Sequence, residues 1–433
     1  MESGVISKIK SRASRICVLG LGYIGLPTAS MFASHDFKVL GVDVKQEVVD
    51  ILNHGGVHID EPGLKTLVGA ALKSGNLEVS SQPASSDVFI IAVPTPITDE
   101  KIADLSYVES AAKSIVPHLH RGNLVILEAT SPPRTTEDVV RPILEESGLD
   151  AGEDFLVAYS PERVLPGKIL HELVHNSRVI GGINPDSAQA GKALYESFVE
   201  SEIVCTDTTT AEMVKLMENT YRDINIAVAN EFSRLAEKFQ VDVWEAIEIA
   251  NRHPRVEILQ PGPGVGGHCI SVDPWFFVEK APDESRLIYQ ARIINDDQPA
   301  FVIELLKKEF GSLEGKLFAA LGVTYKPDVD DLRESPAIEV IKRLLAEDAA
   351  VKAYDPYVSE RVDLPFLIDD LDEVIQDVDG ILLLVNHHQF KDLEPAYLAD
   401  KAQNCFILDT RNVLGRATWQ KAGFRIKTLG SAT

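Results

Sequence analysis

The chain is poor in cysteine, methionine and tryptophan, with four, four and three among 433 residues. The cysteines are Cys17, Cys205, Cys269 and Cys405, and none forms a C-x-x-C pair. Neither a zinc site nor any other metal is therefore expected. Positive charge is scarce as well. There are 42 Lys and Arg against 66 Asp and Glu, a formal net charge of -24. Nonspecific nucleic-acid binding needs positive surface to displace counterions, so nucleic acid is not an expected partner. A single anionic ligand stays compatible with this balance, because a few cations can cluster locally. No run approaches the ~20 apolar residues of a membrane span. Residues 1–14 are polar and basic, without the apolar centre of a secretory leader. These absences lead us to expect a cytoplasmic protein with no membrane partner.

What is present points to an α/β protein. Hydrophobic residues make up 45% of the chain, and the length calls for two or three domains. Arg15–Leu19 (RICVL) reads as a buried strand, residues 26–34 as a helix and residues 38–44 (KVLGVDV) as a second strand, a β-α-β unit. Further strands are expected at 88–93, 124–128 and 155–159, with helical patterns between them. Cys17 and Cys405 fall in such apolar runs and read as buried thiols. Residues 211–239 form one long helical pattern without Gly or Pro, capped at its start by Asp207 or a nearby Thr. A second α/β series follows, with strands at 316–323, 350–354, 380–385 and 405–409. The expected fold is two Rossmann-like, doubly wound domains joined by a central helical domain with a long helix. The boundaries are 1–205, 206–305 and 306–433.

Residues 20–25 read G-L-G-Y-I-G between a strand and a helix. Gly20 suits the tight turn, Gly22 the approach of a pyrophosphate and Gly25 close helix–strand packing, with Tyr23 and Ile24 inside the motif. Asp43 ends the second strand, 18 residues beyond Gly25. A carboxylate there accepts from both ribose hydroxyls and repels a 2′-phosphate, which favours NAD over NADP. Pro94 and Thr95 follow one strand and Thr130 another, at the ends where ligands lie in such sheets.

Residues 261–275 read P-G-P-G-V-G-G-H-C-I-S-V-D-P-W. Glycines this dense suggest a backbone passing close to something, a ligand phosphate or sugar being the expectation. Cys269 ends this loop. A helix start nearby would favour its thiolate, although Asp273-Pro274 is itself a good helix start. The neighbouring His268 reads as a loop side chain. Lys215 and Asn219 are four apart and share a helix face. They form either a solvated stripe or a cleft-facing pair, with Lys215 stabilising an oxyanion and Asn219 binding substrate hydroxyls.

Taken in order, G-L-G-Y-I-G, V-P-T-P, S-P-E-R, K-x-x-x-N, G-G-H-C-x-x-x-D, Lys326-Pro327 and Asp331-Leu332-Arg333-Glu334-Ser335 resemble the UDP-glucose/GDP-mannose dehydrogenase family. The match runs from about residue 15 to 412. The resemblance implies NAD as cofactor, a UDP-sugar as substrate and a homodimer or higher oligomer. It further implies a four-electron oxidation of a sugar C6 alcohol through a covalent adduct on Cys269. Lys215, Asn219, Asp273, Glu162 and Thr130 are the implied catalytic partners, Glu162 activating the hydrolytic water through Thr130. Arg333 is an implied NAD-phosphate contact, unless it pairs with Asp331 or Glu334. Arg163, Arg252, Gly264, Gly266, Lys326 and Arg411 are implied substrate contacts, beside Glu162, Lys215 and Asn219. One departure stands out: the glucose-type members carry a second Glu four residues after the first, and this chain has Pro166 there. The resemblance therefore implies an N-acetylhexosamine, UDP-N-acetyl-D-mannosamine foremost and UDP-N-acetylglucosamine as its alternative. A two-electron hydroxyacid dehydrogenase would need neither Cys269 nor the second α/β region. A non-enzymatic NAD sensor would need neither Cys269 nor Lys215.

Overall fold

The structure is a computed structural model that describes residues 4–267, 269–358 and 364–431. The chain divides into two compact units, Met1–Glu218 with Trp275–Pro282 and Asn219–Pro274 with Asp283–Thr433.

In the first unit the described residues form one eight-stranded sheet. Its strands are β1 (Arg15–Leu19), β2 (Lys38–Val42), β3 (Leu77–Ser80), β4 (Val88–Ile91), β5 (Leu124–Leu127), β6 (Leu156–Tyr159), β7 (Arg178–Gly182) and β8 (Ile203–Asp207). The order is β3-β2-β1-β4-β5-β6-β7-β8. Strand order reverses at β1/β4, the crevice where such sheets take ligands. The strands are near-continuous apolar runs because helices cover both faces. Alternation sorts their side chains: Ile16, Val18, Val88 and Ile90 enter one core, and Cys17, Leu19, Phe89 and Ile91 the other. Burial pushes the Cys17 thiol up to about 12, which makes it an inert core residue.

All neighbours in this sheet are parallel except β6 and β7, whose antiparallel register pairs Ala158 with Gly182 and Tyr159 with Gly181. The start of β7 therefore lies beyond the carboxyl end of β6. This reversal was not expected from sequence, and neither were β3, β7 and β8. A short helix, Gly4–Lys10, was also unforeseen; it buries Val5 and Ile9.

In the second unit the described strands are β9 (Leu317–Leu321), β10 (Ala350–Tyr354), β11 (Gly380–Leu383), β12 (Phe406–Asp409) and β13 (Arg425–Thr428). They run parallel in the order β10-β9-β11-β12-β13. Here too the faces alternate, with Phe318, Ala320 and Leu382 in one core and Ala319, Leu321 and Ile381 in the other. Cys405 stands just before β12 and is half-buried, where a buried strand position was expected. Four helices, Val243–Ala250, Asp273–Lys280, Arg286–Asp296 and Gln298–Phe310, follow the long one along the chain.

The long helix is Thr208–Phe239, 32 residues and about 48 Å at 1.5 Å per residue. Asp207 caps it, accepting from the Thr210 N–H at 2.9 Å and the Thr210 hydroxyl at 2.6 Å. Leu216 is buried, whereas Met213, Met217 and Tyr221 are exposed, so the apolar positions form two faces and not one. No helix among the described residues is long and apolar enough to cross a membrane.

Gly25 shows how tightly the first β-α junction is built. A Cβ on it would sit 1.8 Å from the Gly20 carbonyl oxygen. The Gly25→Ala variant should lose roughly 2 kcal/mol or more of stability, as strained and overpacked sites do. It should also lose NAD affinity; thermal unfolding with and without NAD measures both.

Candidate active site

The carboxyl edge of the first sheet collects the expected cofactor residues. Gly20 takes φ +90, and a Cβ there would lie 2.5 Å from the Ala92 carbonyl oxygen, which restricts the turn to glycine. A Cβ on Gly22 would meet nothing within 4 Å. The motif is thus packed at both outer glycines and open at the middle one, where a pyrophosphate approaches. Tyr23 is exposed and Ile24 half-buried at the helix entry. Asp43 leaves the end of β2 with both oxygens oriented, accepting from the Leu21 N–H at 2.9 Å and the Lys45 N–H at 2.9 Å. Beyond β4, Pro94 is exposed and Thr95 donates its hydroxyl to the Thr130 carbonyl beyond β5. These residues fit a bound dinucleotide: an open backbone at a helix N-terminus for phosphates and a carboxylate for a ribose.

Glu162 follows β6 and is buried. Its Oε1 accepts from the Arg163 N–H at 2.6 Å, and its Oε2 from Arg178 Nη2 at 2.8 Å. Among the described residues it makes no hydrogen bond to Thr130, the route expected for its water. Arg163, an expected substrate contact, donates through Nε to Glu218 at 3.1 Å and through Nη1 to the Ser177 carbonyl at 2.9 Å. Lys215 lies one turn before Asn219 on the long helix and is buried.

In the second unit Asn219 Nδ2 donates to Asp273 Oδ2 at 2.5 Å. Two motifs 54 positions apart are thereby joined. The Cys269 carbonyl accepts from the Asp273 N–H at 2.8 Å and the Val272 N–H at 3.2 Å, a tight turn that leads into the helix Asp273–Lys280. Cys269 is exposed and stands four residues ahead of that helix, so the helix starts at Asp273 and not at the thiol. His268 lies outside the described residues.

The glycine loop approaches protein neighbours, where a ligand was expected to explain it. A Cβ on Gly262 would lie 2.3 Å from Arg411 Nη1. Others would lie 3.0 Å from Pro336 Cβ at Gly264 and 2.2 Å from the Glu334 carbonyl oxygen at Gly266. The loop is also held from the long helix: Asn225 Oδ1 accepts from the Leu259 N–H at 3.0 Å and Asn230 Oδ1 from the Gly262 N–H at 2.9 Å. Sequence reasoning passed over both asparagines, because the long helix carries many polar residues and nothing sets these two apart. Lys326 and Arg411 leave the ends of β9 and β12, on one edge of the second sheet. The Lys326 carbonyl accepts from the Thr324 hydroxyl at 2.9 Å, and Arg411 Nε donates to Asn386 at 3.3 Å.

Two expected contacts are engaged elsewhere. Arg333 is paired with Asp331, its Nε donating at 2.7 Å. Arg252 is paired with Glu248 at 3.1 Å on an exposed helix surface. Arg178 was missed entirely, because the strand it opens was not recognised.

A switch-point crevice, a G-x-G-x-x-G turn and a strand-end carboxylate define a dinucleotide-dependent dehydrogenase, and the second parallel sheet and Cys269 loop narrow the class. Sequence models of the UDP-glucose/GDP-mannose dehydrogenase family match in all three parts: the NAD binding domain over 14–199, the central domain over 209–297 and the UDP binding domain over 319–416. The chain belongs to this family, and its cofactor is NAD. It is 50% identical over 422 residues to the UDP-N-acetyl-D-mannosamine dehydrogenase of Methanocaldococcus jannaschii, covering 96% of each chain. It is 46% identical over 411 residues to the NDP-N-acetyl-D-galactosaminuronic acid dehydrogenase of Ralstonia nicotianae, covering 92% of this chain and 96% of the relative. The structure of UDP-D-ManNAc dehydrogenase from Pyrococcus horikoshii superposes with a TM-score of 0.90 at 43% identity, over 96% of this chain and 99% of that one.

The Asp43→Asn variant should raise the KM for NAD about tenfold and narrow the preference over NADP, since the amide neither accepts at both oxygens nor repels a phosphate. NADH and NADPH production under matched conditions read this out.

Proposed function

We propose that the chain oxidises C6 of UDP-N-acetyl-D-mannosamine from alcohol to carboxylate, at two NAD per sugar. The observation that carries this reading is the Asn219–Asp273 hydrogen bond beside the Cys269 turn, which joins the K-x-x-x-N helix to the thiol loop. The relatives' named substrates support the sugar, and Pro166 in place of a second glutamate fits an N-acetylhexosamine.

NAD, when bound, accepts a hydride from C6 at each of two oxidations. In the first, the alcohol loses a hydride and a proton and becomes an aldehyde. Cys269 Sγ then bonds to C6 while a proton goes to the C6 oxygen, giving a thiohemiacetal. This adduct restores a hydride to give, which a bare aldehyde gives up far less readily, and it keeps the carbon in place. Loss of that hydride and the hydroxyl proton yields a thioester. Water then forms the C–O bond and gives a proton to Glu162, the C–S bond breaks, and Cys269 leaves as thiolate. Lys215 stabilises the C6 oxygen as its charge develops, and Asn219 with Asp273 orients the hydroxyl and the water. Lys326, Arg411 and the loop of Gly264 and Gly266 hold the UDP-sugar, with Arg163, Arg252 and Arg333 engaging ligand only after leaving their present carboxylate partners. We assign three functional regions: 1–205 for NAD, 206–305 for Lys215 and the Cys269 loop, and 306–433 for the nucleotide sugar. A catalytic thiolate suits a reducing compartment such as the cytoplasm.

The exposed stripe on the long helix supports a homodimer. Met213, Met217, Tyr221, Val228, Phe232 and Phe239 all stand at least 37% exposed. Met217 leads to Val228 and Phe239, and Tyr221 to Phe232, in steps of 11 residues, a period that keeps one face along a nearly straight helix. A second copy presents the same stripe and can cover it isologously. Tyr221→Glu with Phe232→Glu should convert the dimer to monomer in light scattering; an unchanged mass removes this surface from the interface.

A panel of UDP-sugars should give the highest kcat/KM with UDP-N-acetyl-D-mannosamine, at two NADH per sugar, and faster turnover of another epimer would reassign the substrate. Cys269→Ser should lose completion of the four-electron reaction by at least about 100-fold, the scale of a lost nucleophile. Asp273→Asn should lower kcat by about tenfold or more with little change in KM, as expected for a group acting mainly in the transition state.

A further inference from the structure

Behind Glu162 the first unit buries a cluster that the proposed chemistry leaves unexplained. Arg178 opens β7, and its guanidinium is 5% exposed. It bridges two carboxylates, donating Nη2 to Glu162 Oε2 at 2.8 Å and Nη1 to Glu128 Oε1 at 3.2 Å. Nη1 also donates to the Ser160 hydroxyl at 3.0 Å. Tyr195, from the helix Pro185–Tyr195, donates its hydroxyl to Glu128 Oε1 at 2.9 Å, and its ring lies 4.3 Å from the guanidinium carbon. Glu128 is fully buried, and its Oε2 has no hydrogen-bond partner.

A structural ion pair needs one cation and one anion. Burying a second carboxylate against the same cation, with one oxygen unsatisfied, costs stability that a paired or apolar residue would not. Burial pushes the Glu128 carboxyl up, against the pull of Arg178, and the Glu162 charge pushes the same way. Burial works against the Arg178 charge too, yet the carboxylates outweigh it and hold the guanidinium above its usual range. The cation is therefore permanent, and the two carboxylates compete for it. Arg163, whose backbone N–H donates to Glu162, is paired through its side chain with Glu218.

We propose that Arg178 is the positioning residue for Glu162, fixing one carboxylate oxygen and leaving the other to meet the water, and that Glu128 sets how much of that cation Glu162 receives. This rests on the reading of Glu162 as the base for thioester hydrolysis. The reversed strand makes the arrangement possible, since the first residue of β7 stands at the carboxyl edge while the first residues of β1 to β6 stand at the opposite one.

The test uses the full-length enzyme with NAD and UDP-N-acetyl-D-mannosamine, following NADH in single turnover and acylation of Cys269 by intact-protein mass spectrometry. Glu162→Gln and Arg178→Met should both accumulate the acyl enzyme, with hydrolysis slowed about tenfold or more. For Arg178→Met the loss should fall on hydrolysis alone, with acylation of Cys269 keeping its wild-type rate. Arg178→Lys should recover part of the loss. Glu128→Gln keeps the shape and removes the competing charge, so its hydrolysis should be faster than wild type, the opposite direction. A merely structural role would not reverse sign between variants. Wild-type hydrolysis in Arg178→Met beside an impaired Glu162→Gln overturns this inference alone, and wild-type hydrolysis in Glu162→Gln overturns it together with the base assignment. Should Arg178→Met fail to fold, an unchanged hydrolysis rate in Glu128→Gln overturns it.

Discussion

In a parallel sheet every strand is followed by a crossover that returns to the starting edge, so the segments leaving the carboxyl ends gather on one side. The second sheet of this chain obeys that constraint throughout and the first obeys it from β1 to β6, and the positions of the candidate residues follow from it. Gly20, Asp43, Pro94, Thr130 and Glu162 come from five different connections, yet each is the first, second or third residue after its strand or lies in the turn just beyond it. Lys326 and Arg411 stand in the same relation to β9 and β12. The sheet thus fixes where chemistry can be placed, and the loops choose which chemistry it is. Glycine sets how closely those loops may approach: the helix Gly25–Ser34 can start against the β1 turn because position 25 carries no Cβ.

That constraint also explains what could be read from sequence. The central strands VFII and LVIL are buried at every position, and such runs announce themselves. The strands that escaped lack the signal for physical reasons. β3, β8 and β13 are only partly buried, and their apolar residues are interrupted by Glu, Cys, Thr or Lys. β7 is buried throughout but reads RVIGG, with glycines that resemble a turn. Those glycines are packing residues. A Cβ on Gly181 would lie 2.5 Å from the Asp207 carbonyl oxygen, and one on Gly182 would lie 2.3 Å from the Ala188 nitrogen. Missing β7 meant missing Arg178, so an error about one strand became an omission at the site.

The motif residues were legible for a different reason: they are constrained by chemistry at fixed spacings. Cys269 and Asp273 occupy one turn, and Lys215 and Asn219 one helix face, whatever surrounds them. The meaning of the glycine loop was less legible. Glycine density signals close approach without saying to what, and here Gly262, Gly264 and Gly266 make room for Arg411, Pro336 and Glu334. The approach seats Arg411 against the loop that carries Cys269.

The charge balance closes the argument. A chain with net charge -24 must hold two anionic ligands, NAD and a nucleotide sugar. Its cations near the expected sites are mostly occupied: Arg163 with Glu218, Arg178 with Glu128 and Glu162, Arg333 with Asp331 and Arg252 with Glu248. The surface pairs among these are worth about 0–1 kcal/mol and can be exchanged for a phosphate at little cost. The buried one cannot, since freeing Arg178 would leave two carboxylates without a cation. On the proposed function, phosphate recognition falls to exchangeable arginines and to backbone N–H groups such as those of the G-L-G-Y-I-G turn, which carry positive potential without adding net charge. On that reading the cations that meet the ligand can change partner, whereas Arg178 is locked in place.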